Sequence, residues 1–203
     1  MLSGKTILIT GANGGIGSSI SNLLLENNAK LILLFNKNRN QIDDLIKNKP
    51  NLKSNVELYS VDLCDANSLE KTLSKILENN IVDVFILSVS PSIVNKQIQK
   101  VSWKDFNLHM NLEVQSFLQI VQKLIPNMKT QQNGKIISIL SSYTVGKPPP
   151  QLTAYVSTKY ALLGLMKSLA VELGNSGITV NGISPSMTET PLIDNLPRKL
   201  KEI

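Results

Sequence analysis

The chain has 203 residues, 42% hydrophobic and 18% charged, an ordinary balance for a soluble globular protein and length enough for one α/β domain with a real core. Its 21 basic residues against 15 acidic ones give a net charge of +6, but the lysines are scattered among asparagines, which argues for a solvated surface and against a nucleic-acid face. The single cysteine, Cys64, excludes an internal disulfide and a cysteine-built metal site; no apolar run approaches the ~18 residues of a membrane span, and a strand begins too early to leave room for a signal peptide, so the expected location is the cytoplasm.

Short apolar runs alternate with helix-period segments along the whole chain. KTILIT (5–10) predicts a buried strand, and the helix after it runs from Gly15 to Asn28. KLILLF (30–35) is a second strand, followed by a helix near 39–48. NVELYSV (55–61) is a third, with Asp65 placed to cap the next helix, ANSLEKTLSKILENN. VDVFILSV (82–89) is a fourth. A long helix is predicted from about Trp103 to Met128, with Phe106, Met110, Val114, Phe117, Leu118, Val121 and Leu124 at helical spacing. GKIISIL (134–140) and GITVNGI (177–183) are the fifth and sixth strands. Between them a further helix carries Leu162, Leu165, Met166, Leu169 and Leu173 on one face. Near-continuous Val/Ile/Leu strands in strict β-α alternation predict an α/β fold, a doubly wound parallel sheet of about six strands, Rossmann-like, in one domain over 1–203.

TGANGGIG joins the first strand to the first helix. Gly11, Gly15 and Gly17 permit a tight turn, a close approach by a pyrophosphate, and close packing of helix on strand. The helix start behind them offers unpaired N–H groups and a positive dipole end. The alternative, a glycine-rich turn without a ligand, is the weaker reading in this strand–loop–helix context.

Two tyrosine–lysine pairs have the i, i+4 spacing. Tyr143 and Lys147 enclose Gly146 and run into Pro148, Pro149 and Pro150, so they cannot share a helix. Tyr155 and Lys159 open a clean helical stripe and share one face. Reducing a ketone by hydride transfer needs a proton for the developing alkoxide. A free phenol, ionising near pH ~10, is a reluctant donor, and an ammonium one turn away favours its phenolate and makes it a usable acid/base.

The loop form T-G-x-x-x-G-x-G, the serines of GKIISILSS, the stretch AYVSTKYALLGLMKSLAVEL and GITVNGISP occur in this order, and from residue 3 to about 195 the chain resembles the short-chain dehydrogenase/reductase family. It is most similar to its 3-oxoacyl-carrier-protein-reductase-like carbonyl reductases. The resemblance implies that Tyr155 is the general acid/base and that Lys159 also holds the nicotinamide ribose. It implies that Ser142, rather than Ser141, bonds the substrate carbonyl, and that Asn111 sustains a proton relay to the lysine unless it is a buried structural asparagine. It places Asn13 and Ile16 in the phosphate loop and Ser88 and Pro185 beside the cofactor. Asp62 and Leu63 would lie at the adenine, with the start of a turn as the plainer role for Asp62, and Thr190 at the nicotinamide amide. His109, the only histidine, carries no expected role. The second strand ends LLFNKNRNQ, with Asn36, Lys37 and Arg39 and no acid before Asp43, which suits a ribose 2′-phosphate. NADP(H) is therefore favoured, with NAD(H) the alternative and a generic surface charge pair the other reading of Lys37 and Arg39. No metal is expected.

Two departures accompany the resemblance. Where the family has Asn-Asn-Ala-Gly after the fourth strand this chain has Leu87, Ser88, Val89 and Ser90, and Ser186 replaces the glycine after Pro185. Relatives also continue for some tens of residues past Ile203 through another helix and a seventh strand, so 187–203 reads as a partial substrate lid. The implied activity is an NADP(H)-dependent reductase acting on a small-molecule or acyl-carrier-linked carbonyl, or the matching alcohol dehydrogenase. The alternative is a nucleotide-binding, weakly active or inactive relative serving as a regulatory or assembly subunit. The helices at 103–128 and 153–175 would form a homodimer, with a tetramer as the larger alternative; no nucleic-acid or membrane partner is expected.

Overall fold

The computed structural model describes residues 2–198. The six strands are β1 (Thr6–Thr10), β2 (Lys30–Phe35), β3 (Val56–Ser60), β4 (Val84–Leu87), β5 (Gly134–Ile139) and β6 (Ile178–Ile183). They pair in parallel in the order β3-β2-β1-β4-β5-β6. The helices are α1 (Gly15–Glu26), α2 (Asn40–Asn48), α3 (Ala66–Asn79), α4 (Trp103–His109), α5 (Ser116–Thr130) and α6 (Thr153–Leu173). The strand order reverses between β1 and β4, so a crevice opens beyond their carboxyl ends, where ligands bind in doubly wound sheets.

The period of two along each strand divides the core into two layers. Ile7 and Ile9 of β1 join Leu25 of α1 and Ile42 and Leu45 of α2. Leu8, between them, joins Leu69 and Leu73 of α3, Phe117 of α5 and Leu162 of α6 on the opposite face. Covering both faces is why the strands read as unbroken apolar runs. Phe85 of β4 stacks on Phe117 at 5.9 Å, fixing α5 against the middle of the sheet. Local signals set the helix starts. Asp65 accepts from the backbone N–H groups of Asn67 and Ser68 at the head of α3, and Ser102 with Asp105 forms a reciprocal capping box at the head of α4. Lys96 adds an ion pair to Asp105 at 2.9 Å and ties the preceding loop to α4.

The helix predicted as continuous over 103–128 is interrupted. Between α4 and α5, Met110–Gln115 form a π-helical turn. Its wider winding shifts the register of everything after it. Around this turn Asn111 is half-buried and Leu118 exposed, whereas Glu113 is fully buried. The proposed lid over 187–203 is described as far as Arg198, with a short 3₁₀ turn at Pro191–Ile193, and its remainder lies outside the described residues.

Candidate active site

The glycine loop is tight for reasons visible atom by atom. Gly11 has φ +70°, and a Cβ on it would lie 2.7 Å from the backbone of Ser88 on the neighbouring β4 loop. A Cβ on Gly17 would lie 2.1 Å from the Gly11 carbonyl oxygen, so α1 is pressed directly onto the loop. Gly14 caps α1 without any side-chain acceptor, and no acid occupies the first turn, which leaves the first N–H groups of the helix open to an anion. A cavity over this point is lined by Asn13, Gly15, Ile16, Ser88, Ser90 and Thr190.

A second cavity, at the end of β2, is lined by Gly11, Asn13, Asn36, Asn38, Leu63 and Val89. Its walls are apolar and amide, without a carboxylate. Asn13 fixes one wall by accepting from the backbone N–H of Gln41 at 2.9 Å. Lys37 and Arg39 do not line it. The Arg39 guanidinium is instead held bidentately by Asp43, through Nε at 2.9 Å and Nη2 at 2.6 Å. The same contact lowers the Asp43 carboxyl below its ordinary range. Asp62 does not line this cavity either; it accepts from the Cys64 N–H at 2.9 Å and so serves as the start of a turn.

The third cavity gathers the reactive groups. Ser142, Tyr155 and Lys159 line it with Ser88, Ser90, Pro185 and Thr190, and Ile93, Leu192 and Leu196 give it an apolar wall. Ser142 enters on a 3₁₀ turn directly after β5, its N–H bonded to the Pro185 carbonyl at 2.9 Å. Ser141 is buried and turned to the backbone, its hydroxyl accepting from the Tyr143 N–H at 3.3 Å. Tyr155 occupies the first turn of α6 and is 6% exposed. Lys159 lies one turn on, its Nζ 5.6 Å from the centre of the Tyr155 ring. Tyr143 shares the cavity but sits on the 3₁₀ turn, with Lys147 outside it; burial chiefly pushes its phenol up.

Lys159 is 3% exposed and has two partners. Its Nζ donates to the Ile139 carbonyl at 2.8 Å and lies 2.7 Å from Glu113 Oε2, a contact that is ionic in distance but off the angle of a hydrogen bond. Glu113 Oε1 accepts from the Ser90 hydroxyl at 3.0 Å and lies 3.4 Å from His109 Nδ1. The His109 ring is itself fully buried and set edge-on to Tyr155, centroids 6.1 Å apart. Burial alone would raise the Glu113 carboxyl; the Lys159 charge and the His109 contact outweigh it and hold the group below its ordinary range.

A family profile described as short chain dehydrogenase matches residues 5–201. The chain belongs to the short-chain dehydrogenase family. It is accordingly an NAD(P)-dependent oxidoreductase. It is 27% identical over 202 residues to the 3-oxoacyl-[acyl-carrier-protein] reductase FabG of Thermotoga maritima, covering 99% of this chain and 81% of that one. It is 29% identical over 199 residues to the oxidoreductase UcpA of Escherichia coli K12, covering 98% and 74%. Among solved structures, the fold matches a short-chain dehydrogenase from Streptomyces avermitilis with a TM-score of 0.84 at 25% identity, over 94% of this chain and 68% of that one. ElxO with NADP bound superposes with a TM-score of 0.83 at 23% identity, over 92% and 75%.

The three cavities share lining residues along the crevice: Asn13 lines both the cavity at the end of β2 and the one over the helix start, Val89 lines the former and the reactive cavity, and Ser88, Ser90 and Thr190 line the helix-start and reactive cavities. Val89 and Ser90, where the family pattern is broken, line the passage between these cavities. Ser88 Oγ is buried with no hydrogen-bond partner among the described residues, a polar atom placed to meet a ligand in this passage. Gly11, Asn13, Gly15, Ile16, Asn36, Leu63, Ser88, Ser142, Tyr155, Lys159, Pro185 and Thr190 are brought to the cavities; Gly17, Lys37, Arg39, Asp62 and Asn111 do not line them. Sequence reasoning missed Glu113 and His109. One signal was present: Glu113 is the sole formally charged residue between Asp105 and Lys123, in a helix otherwise apolar or neutral.

Proposed function

We propose that the chain interconverts a carbonyl and a secondary alcohol with NADP(H). The observation that carries this reading is the placement of Tyr155, Lys159 and Ser142 around one cavity that continues into the glycine loop. The glycine loop and the open start of α1 would hold the pyrophosphate, Asn36 and Leu63 the adenosine end, and Pro185 and Thr190 the nicotinamide end. Bound there, the cofactor supplies or accepts the hydride.

The protein's own groups handle the substrate oxygen. The Ser142 hydroxyl donates to it and holds the carbonyl in place. The Tyr155 phenol gives it a proton as negative charge develops, and takes that proton back in the reverse direction. The Lys159 ammonium beneath the ring offsets the phenolate charge left behind. Ile93, Leu192 and Leu196 exclude water and favour an uncharged region of substrate next to the reacting carbon. An acyl-carrier-linked or small-molecule ketone fits this wall. The absence of an acid at the end of β2 supports NADP(H) over NAD(H), with Lys37 and Arg39 as the groups nearest in sequence to a 2′-phosphate. The exposed Trp103, Tyr160 and Val171 on α4 and α6 support a homodimer built on these helices. The described residues contain no helix long and apolar enough to cross a membrane, and a cytoplasmic setting suits a nicotinamide-linked reductase.

Tyr155→Phe tests the reading. It removes only the transferable proton, so turnover should fall by about a thousandfold or more while NADPH affinity changes by less than about threefold. A fully active variant refutes the assignment. The departures from the family pattern at Leu87–Ser90 favour a second reading, a nucleotide-binding subunit with little activity; tight NADPH binding without turnover on a panel of carbonyls would select it.

A further inference from the structure

The buried cluster behind the reactive cavity is more than packing. We propose that Glu113 is a positioning residue of this active site: its carboxylate is the counter-ion that keeps the Lys159 ammonium charged and in place beneath the Tyr155 ring. The proposal rests on the reductase reading above, and assigns to Glu113 the place beside the lysine that the family pattern gives to Asn111.

Four observations converge. Glu113 is fully buried and Lys159 nearly so, and ions removed from water in this way persist only when paired. The Ile139 carbonyl satisfies one Lys159 hydrogen but brings no charge. The Ser90 hydroxyl fastens the other Glu113 oxygen, so the carboxylate is held from two sides. Finally, the π-helical turn that carries Glu113 is a local departure from regular winding of a kind frequent at functional sites. Glu113 thus links Lys159 on α6, His109 on α4 and Ser90 on the β4 loop, and two of these three, Lys159 and His109, flank Tyr155. The titratable groups facing it are Lys159, with Tyr155 beyond, from α6, and His109 from its own helical run; the β4 loop presents only a hydroxyl.

The consequence has a direction. Replacing the carboxylate by an amide leaves desolvation of the lysine unopposed, which disfavours the ammonium and withdraws its support for the phenolate. Alcohol oxidation needs the phenolate, so the pH at which oxidation reaches half its maximum should rise. In Glu113→Gln a rise of about one pH unit or more is expected, with kcat at pH 7 down by about tenfold and KM changed by less than about threefold. Glu113→Asp keeps the charge and should hold the wild-type pH position. An unmoved profile in Glu113→Gln overturns the proposal, and so does a downward shift, which would mean the carboxylate opposes the phenolate directly.

A readout free of turnover separates this proposal from the reading beneath it. Melting temperatures of Glu113→Gln, Lys159→Met and the double variant form a cycle; a true pair makes the double loss smaller than the sum of the single ones. If Glu113→Gln alone does not fold, recovery of a folded double variant shows the same coupling, and failure of both overturns the pairing. Coupling in a protein that turns over no alcohol or carbonyl removes the reductase reading and leaves the pair standing. Additive losses in an active enzyme remove the pair and leave the reductase.

Discussion

Gly17→Ala is the sharpest test of the nucleotide cradle, because it adds one methyl where the surroundings are backbone. The new Cβ would lie 2.1 Å from the Gly11 carbonyl oxygen and 3.1 Å from Ala12 Cα, so helix and loop must part by more than an ångström. Neither side yields cheaply. The Gly11 oxygen accepts from the Gly14 N–H at 2.9 Å, and Gly11 itself abuts the Ser88 backbone. Overpacking of this kind costs about 1–3 kcal/mol, and loss of the turn hydrogen bond adds about 1 kcal/mol. Against this stands a gain of up to about 1 kcal/mol from alanine's better helix propensity. The net loss is about 1–3 kcal/mol, which for a chain of this size lowers the melting temperature by about 3–10 °C. Moving the helix start also displaces the N–H groups proposed to meet the pyrophosphate, so NADPH affinity, read from its fluorescence on titration, should fall by about tenfold or more. An unchanged melting temperature with unchanged affinity refutes the argument. A lowered melting temperature with unchanged affinity shows that the crowding is real and the phosphate seat lies elsewhere.

Cofactor choice can be probed at the ion pair that occupies Arg39. Asp43→Asn releases the guanidinium, and NADPH should bind about two- to fivefold more tightly, the range of an exposed ion pair, with NADH affinity unchanged in parallel titrations. Equal gains for both cofactors, or none, would remove Arg39 from the 2′-phosphate. Asp105 offers a pH test of the α4 start. Lys96, then the Ser102 backbone and hydroxyl, hold its carboxyl at about 2. A depressed folded-state value contributes stability above the ordinary aspartate range and loses it as pH falls toward 2. The difference in melting temperature between wild type and Asp105→Asn should be constant from pH 5 to 8 and shrink below about pH 4. A difference that grows on acidification would contradict the assignment.

The parts of the fold that local chemistry decides were legible in the sequence. Buried parallel strands announce themselves as apolar runs, and the helices by period or cap, Asp65 at α3 being the plainest, although α4 and α5 read as one. The glycine loop was legible because close backbone approach penalises any side chain, as the 2.1 Å clearance at Gly17 shows. The Tyr155–Lys159 pair was legible once Pro148 to Pro150 disqualified its competitor. What failed depended on geometry that spacing does not encode. Counting by 3.6 residues does not reveal the wide turn at Met110–Gln115, in which Glu113 is fully buried and Asn111 half-buried. Arg39 looked available because its partner Asp43, four residues on, was weighed only as a missing ribose ligand and not as a guanidinium acceptor. His109 drew no role from sequence, since its meaning lies in Tyr155 and Glu113, neither of which fixes it by proximity alone. A charged residue alone in a buried helical stretch is the one warning such a site gives. A carboxylate taken out of water requires a partner ion, and the lysine it must find here is the one that the helix start already places beneath a phenol.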